Sequence, residues 1–185
     1  MKLANITSLY RAKLITKTYA GWLKPKTNVL DIGCGTGVVA KEIQKYFELN
    51  MYGCDTDEYL LFKLPFEKIV KIDKLPYKNN NFDYAMLNDV LHHTKFENQK
   101  ELLLESLRIA KTVLVFELKP TLSGKLSDYV LNKIHNFHMN IPFTYRSQKS
   151  WEELLKQLKI SYKIKQVPKP FWYPFTHVAF ELRRK

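Results

Sequence analysis

The chain has 185 residues, enough for one domain and too short for two ordinary ones. Hydrophobic residues make up 45% and charged residues 26%, which excludes a disordered, collagen-like or coiled-coil protein. Its two cysteines are too few for a disulfide scaffold or a thiolate zinc site. No apolar run reaches the ~18 residues of a membrane helix. We therefore expect a cytoplasmic protein with free thiols.

Predicted helices and strands alternate through the first two thirds of the chain. The first helix has apolar residues at helical spacing and is expected to stop at Gly21, and a later short helix is expected to stop before Pro65. Apolar strands that alternate with helices are typical of a parallel sheet covered by helices on both faces. The predicted helices are 3–19, 38–47, 57–64 and 97–110, and the predicted strands are 28–32, 50–54, 68–72, 82–87 and 112–118.

The last third of the chain departs from this alternation. Residues 122–138 are predicted to form an inserted helix, and Ser150 is expected to cap a further helix in a capping box with Glu153. Strands are predicted at 160–166 and 175–182, and a short Pro-rich link favours their pairing as an antiparallel hairpin. We therefore predict an α/β three-layer sandwich: a mostly parallel seven-stranded sheet with one antiparallel edge strand and a helical insertion after the fifth strand.

Three alternate glycines follow the first predicted strand, at the start of a helix. Such glycines allow positive φ and let a ligand approach bare backbone, and the next helix presents free N–H groups. The spacing is G-x-G-x-G and not the G-x-G-x-x-G of dinucleotide-binding loops. Asp31 before the loop would repel a pyrophosphate but suits an ammonium group, and Asp55 after the second strand can accept hydrogen bonds from ribose hydroxyls. The pattern indicates a nucleoside ligand without a phosphate and with a cationic tail.

Three segments carry a resemblance to a known family. VLDIGCGTG at 29–37, GCD at 53–55 and LPYKNNNFDYAMLNDVLHH at 75–93 resemble motifs of the class I S-adenosylmethionine-dependent methyltransferases, in particular the methyltransferase type 11 group. The resemblance implies a Rossmann-like fold, S-adenosyl-L-methionine as cofactor and S-adenosyl-L-homocysteine as product. We divide this single domain (1–185) into an N-terminal helix (1–24), a cofactor-binding core (25–118), an acceptor-site insertion (119–150), and a C-terminal helix with a β-hairpin (151–185).

The resemblance also implies which residues bind the cofactor. Asp31 would lie near the methionine amino group, and Asp55 would bind the ribose hydroxyls. The family often places an acid after the third strand for adenine; here the acid comes slightly later, as Asp73, which is equally well explained as a solvent-facing residue. The implied cofactor-binding residues are Asp31, Gly33, Cys34, Gly35, Gly37, Asp55, Thr56, Asp73 and Asn88.

Residues for catalysis and acceptor binding are expected around the cleft. His92 or His93, after the fourth strand, could serve as a general base, although packing of this pair is the commoner role. The candidate acceptor-binding residues are Tyr10, Asp128, His135 and Arg146. No metal site is predicted, because no tight histidine pair accompanies Asp128 on its helix.

Three functions remain open from the sequence. The leading one is methyl transfer to a small-molecule or lipid-like acceptor, since the inserted helix and the aromatic residues of the Pro-rich link can close over the cleft. The alternative is an RNA methyltransferase acting on tRNA or rRNA, suggested by residues 111–185, which carry +9 of the net charge of +12. Against it, NDVL at 88–91 replaces the Asn-Pro-Pro-Tyr type of motif. The third is a non-catalytic cofactor-binding partner subunit.

Overall fold

The computed structural model describes residues 2–135 and 142–185, with side chains described except for residues 2–8, 132, 134 and 135. The helices are α1 (Lys2–Tyr19), α2 (Val38–Phe47), α3 (Phe96–Ile109), α4 (Leu122–His135) and α5 (Gln148–Gln157), with a 3-10 turn at Leu91–His93. The strands are β1 (Asn28–Ile32), β2 (Asn50–Asp55), β3 (Phe66–Lys68), β4 (Phe82–Asn88), β5 (Ala110–Leu118), β6 (Ile160–Gln166) and β7 (His177–Arg184). No helix among the described residues is long and apolar enough to cross a membrane.

The seven strands form one sheet in the order β3-β2-β1-β4-β5-β7-β6. The first five pair in parallel, while β7 pairs antiparallel with both β5 and β6. This confirms the predicted fold class, with β7 as the antiparallel strand and β6 beside it at the edge. The strand order reverses between β1 and β4, and in such sheets ligands bind in the crevice at the carboxyl ends of those strands.

Both faces of the sheet are covered, as continuous apolar strands require. On one face, Leu103 of α3 and Trp151 of α5 belong to a buried cluster with Leu30 of β1. On the other face, Ile15 of α1 and Ile43 of α2 belong to a second cluster. Neighbouring strand residues point to opposite faces, so a buried strand must be apolar at nearly every position. The three layers therefore follow from the strand composition.

The sequence prediction was wrong for residues 57–64, which do not form a helix. Their backbone bonds to the glycine loop instead: the Leu61 N–H donates to the Thr36 carbonyl at 3.0 Å. Leu64 packs against the second buried cluster while Leu61 is 63% exposed, and a helix this short is marginal in water by itself. The segment lies against the glycine loop as an irregular cover.

Other boundaries also differ from the prediction. The third strand ends at Lys68 and not at residue 72. Ser150 does not cap α5; the cap is Ser147, whose hydroxyl oxygen accepts from the Ser150 N–H at 3.2 Å. The predicted hairpin partner begins at His177, two residues later than expected. Residues 136–138 of the predicted inserted helix lie outside the described residues.

Candidate active site

The glycine loop lies at the carboxyl end of β1 with its three glycines at positive φ. The φ angles are 72° at Gly33, 50° at Gly35 and 74° at Gly37. A Cβ at Gly33 would lie 2.6 Å from a methyl group of Val90, whereas one at Gly35 would meet nothing within 4 Å. Gly33 is therefore required by close packing against the segment after β4, and the backbone at Gly35 borders open space that a ligand can enter.

Asp55 ends β2 beside this loop and is held by the backbone. The Gly35 N–H donates to its Oδ2 at 2.8 Å, and the Thr56 N–H donates to its Oδ1 at 2.7 Å. Each carboxylate oxygen has a second lone pair. The two oxygens therefore remain able to accept from two neighbouring hydroxyl groups, as a ribose requires, and they are already oriented before a ligand binds.

Asp31 is a buried carboxyl group, only 2% exposed. The Asn88 Nδ2 donates to it at 3.1 Å, and the Tyr19 hydroxyl donates to the Asn88 Oδ1 at 2.7 Å. Burial raises the pKa of Asp31 to about 7, although the bond from Asn88 and the charge of Arg11 act in the opposite direction. A cation beside this carboxyl group would favour its ionised form. Asp31 therefore fits a ligand with an ammonium group.

A third acid, Asp89, follows β4 in a left-handed conformation with φ 57°. Its N–H donates to the Phe116 carbonyl at 2.8 Å. Its carboxylate oxygens lie 3.4 Å from the Arg11 Nη1 and 3.3 Å from the His177 Nε2. Burial opposes ionisation, but these neighbours outweigh it and lower the pKa of Asp89. The pairing links α1 and β7 to the end of β4.

His92 is fixed from one side by Glu117, a fully buried residue of β5. The Glu117 Oε2 lies 2.7 Å from the His92 Nδ1. Its Oε1 accepts from the N–H groups of Val90 and Leu91 at 2.9 and 2.7 Å. One carboxylate thus satisfies the backbone of the 3-10 turn and orients the imidazole.

Asp128 of α4 approaches the same histidine from the other side. Its Oδ2 lies 3.4 Å from the His92 Nε2 and 3.9 Å from the His93 Nε2, and it accepts from the Tyr145 hydroxyl at 2.7 Å. Burial disfavours the charged imidazole, but Glu117 and Asp128 outweigh burial and raise the pKa of His92 to about 10. Since His92 is then protonated at neutral pH, the geometry favours packing over a base role for it. His93, half-buried, has no such clamp.

The structure places Tyr10 in an aromatic group with the Pro-rich link. Its ring centroid lies 4.8 Å from those of Trp172 and Tyr173. Tyr173 stacks in turn on His177, at 6.1 Å between centroids. Tyr10 is therefore part of an aromatic wall between α1 and the link.

Of the two other candidate acceptor-binding residues in this region, Arg146 and His135, only Arg146 has a described side chain. The Arg146 Nε donates to the Gln99 Oε1 at 2.6 Å, and its guanidinium lies 4.8 Å from the centre of the Phe96 ring. Both partners belong to α3, so the guanidinium is engaged within the protein. The side chain of His135 lies outside the described residues. Asp128 and Tyr145, which lie against His92, therefore link the insertion to the site.

Asp73 lies in an exposed turn, with Val70, 87% exposed, between it and the end of β3. Thr56 is exposed beside Asp55, and Cys34 is buried within the glycine loop. The Asn88 amide is engaged by Asp31 and Tyr19, so a ligand contact there would use its backbone.

Sequence reasoning missed several residues that build the site: Arg11, Tyr19, Asp89, Glu117, Tyr145 and His177. Glu117 carried a signal, because an acid inside the apolar strand TVLVFEL must find a partner when it is buried. Tyr19 and Tyr145 carried none, since their partners are 69 and 17 residues away in the chain.

A family profile described as a methyltransferase domain matches residues 6–159. The chain is 28% identical to a sterol 24-C-methyltransferase of Schizosaccharomyces pombe over 40% of this chain, and the match spans only 23% of the length of that protein.

Two solved structures share the fold. One is magnesium protoporphyrin IX methyltransferase from Synechocystis PCC 6803 with bound S-adenosylhomocysteine, at TM-score 0.67 and 17% identity, covering 95% of this chain and 83% of that one. The other is 1,6-didemethyltoxoflavin-N1-methyltransferase from Burkholderia thailandensis, at TM-score 0.67 and 16% identity, covering 96% and 78%. The family profile spans most of the chain and the sheet has the fold of these enzymes; the chain belongs to the S-adenosylmethionine-dependent class I methyltransferases.

Proposed function

We propose that this chain transfers a methyl group from S-adenosylmethionine to a small-molecule or lipid-like acceptor. The observation that carries the acceptor class is the cover over the carboxyl end of β4. There Asp128 of α4 and Tyr145 lie on His92, which is only 2% exposed. An acceptor must fit beneath or beside this cover, which favours a small molecule over a folded macromolecule.

S-adenosylmethionine supplies an activated methyl group when bound. Asp31 would hold its ammonium group, Asp55 its ribose hydroxyls, and the open backbone at Gly35 would lie against it. The remaining task of the protein is to orient the acceptor and to exclude water.

An acceptor that keeps its proton near neutral pH needs a base. We assign that role to His93 rather than to the clamped His92. The His93 side chain is 32% exposed, so its imidazole can contact an acceptor beside the cover. The His93 Nε2 lies 3.9 Å from the Asp128 Oδ2, close enough for this carboxylate to stabilise the imidazolium after proton transfer.

RNA remains the weaker alternative, because much of the basic excess is spread over the edge of the sheet. The Lys163 Nζ and the Arg183 Nη2 lie 3.3 and 3.2 Å from Glu181. The Lys165 Nζ donates to the carbonyls of Thr18 and Ala20 at the end of α1. A gel shift with bulk tRNA across a salt series should show only weak binding; tight binding with a steep salt dependence would favour the RNA acceptor.

Cofactor binding is tested by calorimetry with S-adenosylmethionine and S-adenosylhomocysteine. Asp55→Ala should cost roughly 2–3 kcal/mol, weakening binding about 30- to 150-fold, because it removes a charged acceptor of two hydrogen bonds. Asp57→Ala is the matched control: Asp57 is exposed and pairs with Lys68 at 2.9 Å. The absence of heat with either ligand, or an unchanged affinity of Asp55→Ala, would contradict the proposed site.

Turnover is tested by methyl transfer from radiolabelled S-adenosylmethionine to fractionated cell extract. Label should enter the small-molecule or lipid pool. Label in RNA or protein alone would show that the acceptor class is wrong. Cofactor binding with label in none of the pools would support the non-catalytic partner subunit.

A further inference from the structure

Exposed apolar side chains are concentrated on the outer side of α4 and on the link before β7. We call this set the outer patch; it comprises Leu122, Leu126, Tyr129, Val130, Phe171 and Trp172. Leu122 is 90% exposed and Phe171 is 99% exposed. Single exposed apolar residues are ordinary, but a continuous group marks a surface that meets another apolar phase.

The outer patch is continuous across the two segments. A groove of about 430 Å³ runs between them, lined by Leu126 and Val130 of α4 and by Trp172 and Phe175 of the link. The Ser123 hydroxyl donates to the Pro174 carbonyl at 3.3 Å, which joins the start of α4 to the link. Leu126, Val130 and Trp172 therefore form one surface across the two segments, with Leu122 one helical turn before Leu126 and Phe171 next to Trp172 in the chain.

Charge around the outer patch has one sign. Residues 119–133 and 168–176 contain four lysines and a single acid, Asp128. That acid faces inward, with its carboxylate 3.4 Å from the His92 Nε2. Two of these lysines, Lys125 and Lys169, are exposed, so the charge that the outer patch presents to solvent is positive.

We propose that the outer patch is a membrane-binding surface that seats the protein on an anionic lipid bilayer. Leucine and aromatic side chains flanked by lysines are the composition that inserts at the level of lipid headgroups. A second copy of the chain fits less well, because a two-fold interface would place the same lysines opposite each other. Anionic lipid complements both the apolar and the charged part of the surface.

The outer patch adjoins the candidate active site. The ring of Tyr173, a lining residue of the groove, lies 4.8 Å from the Tyr10 ring in a tilted contact and stacks on His177 at 6.1 Å. His177 in turn lies 3.3 Å from Asp89 at the end of β4. Bound to a bilayer, the protein would hold the acceptor side of its site near the lipid. This last step rests on the proposed function and names the acceptor as a lipid-like molecule drawn from the membrane.

The test is co-sedimentation with vesicles of phosphatidylcholine alone and of phosphatidylcholine with phosphatidylglycerol. The protein should bind the anionic vesicles and release them as salt rises, because the lysines act through screened charge. Leu122→Ser/Phe171→Ser should lower the partition coefficient at least about tenfold, since each side chain loses apolar burial in the bilayer. Tyr46→Ser is the matched control: Tyr46 is 65% exposed at the other end of the sheet, near the end of α2.

Each result decides the proposal. Equal binding of the double variant and the wild type, or no binding to anionic vesicles, would overturn it. Wild-type dimers that dissociate in the double variant, measured by analytical ultracentrifugation without lipid, would assign the patch to a second copy instead. Calorimetry with S-adenosylhomocysteine separates this question from the proposed function: the double variant should keep wild-type affinity, and a wild type that binds vesicles but not the cofactor would refute only the proposed function.

Discussion

Replacing Asp31 with asparagine should stabilise the free protein and weaken its hold on the cofactor. Asparagine keeps the shape of the side chain and an oxygen that can accept from the Asn88 Nδ2, which donates to Asp31 at 3.1 Å. It removes a charge from a site that is only 2% exposed. The same charge would hold the ammonium group of S-adenosylmethionine.

The size of the stability effect follows from the pKa of Asp31. Burial raises that pKa from 3.8 to about 7. Between those values only the folded state holds the proton, so the free energy of unfolding falls as pH rises and the full cost is present above pH 7. The difference corresponds to about 4 kcal/mol in all, of which about 2–3 kcal/mol accrues between pH 5 and pH 8.5. The Asp31→Asn variant has no titrating group at this position, so its free energy of unfolding does not fall in this way as pH rises.

Urea denaturation of both proteins at pH 5 and pH 8.5 measures the effect. The advantage of Asp31→Asn should grow by about 2–3 kcal/mol from the lower to the higher pH. Calorimetry with S-adenosylhomocysteine at pH 8.5 should show binding at least about tenfold weaker in the variant, as for the loss of a charged hydrogen bond. Wild-type affinity should rise as pH passes 7. A pH-independent stability difference, or unchanged affinity, would refute the role given to Asp31.

Two further predictions concern buried groups. Glu117→Gln leaves His92 without its closest carboxylate. The free energy of unfolding should therefore fall by about 3 kcal/mol, and the pKa of His92, followed by NMR, should drop below its wild-type value of about 10. An unchanged pKa would show that Asp128 alone sustains it. Burial raises the pKa of the Cys34 and Cys54 thiols, so a thiol reagent at pH 8 should react slowly with the native protein. After unfolding without reductant, the same reagent should react with both cysteines. Fewer than two reactive thiols in the unfolded protein would indicate a disulfide.

The predicted fold class rested on local signals that the chain carries in short stretches. Continuous apolar strands predict a sheet buried on both faces, and the glycines of the loop predict backbone that only glycine adopts readily. Local signals failed where tertiary contacts compete with them. Residues 57–64 have a short helical pattern, yet Leu61 bonds to Thr36 of the glycine loop. Ser150 and Ser147 are both good caps, and α5 begins after Ser147 with Trp151 and Leu155 as its buried residues.

The sequence by itself determined the parallel sheet, the glycine loop and the positions of Asp31 and Asp55, because each is a property of one strand and the turn after it. Only the tertiary structure decided what surrounds His92. Glu117 and Asp128 reach it from β5 and α4, 25 and 36 positions along the chain. Whether a histidine packs, carries charge or accepts a proton depends on the groups around it and on its burial, and these arise only when distant segments are brought together by folding.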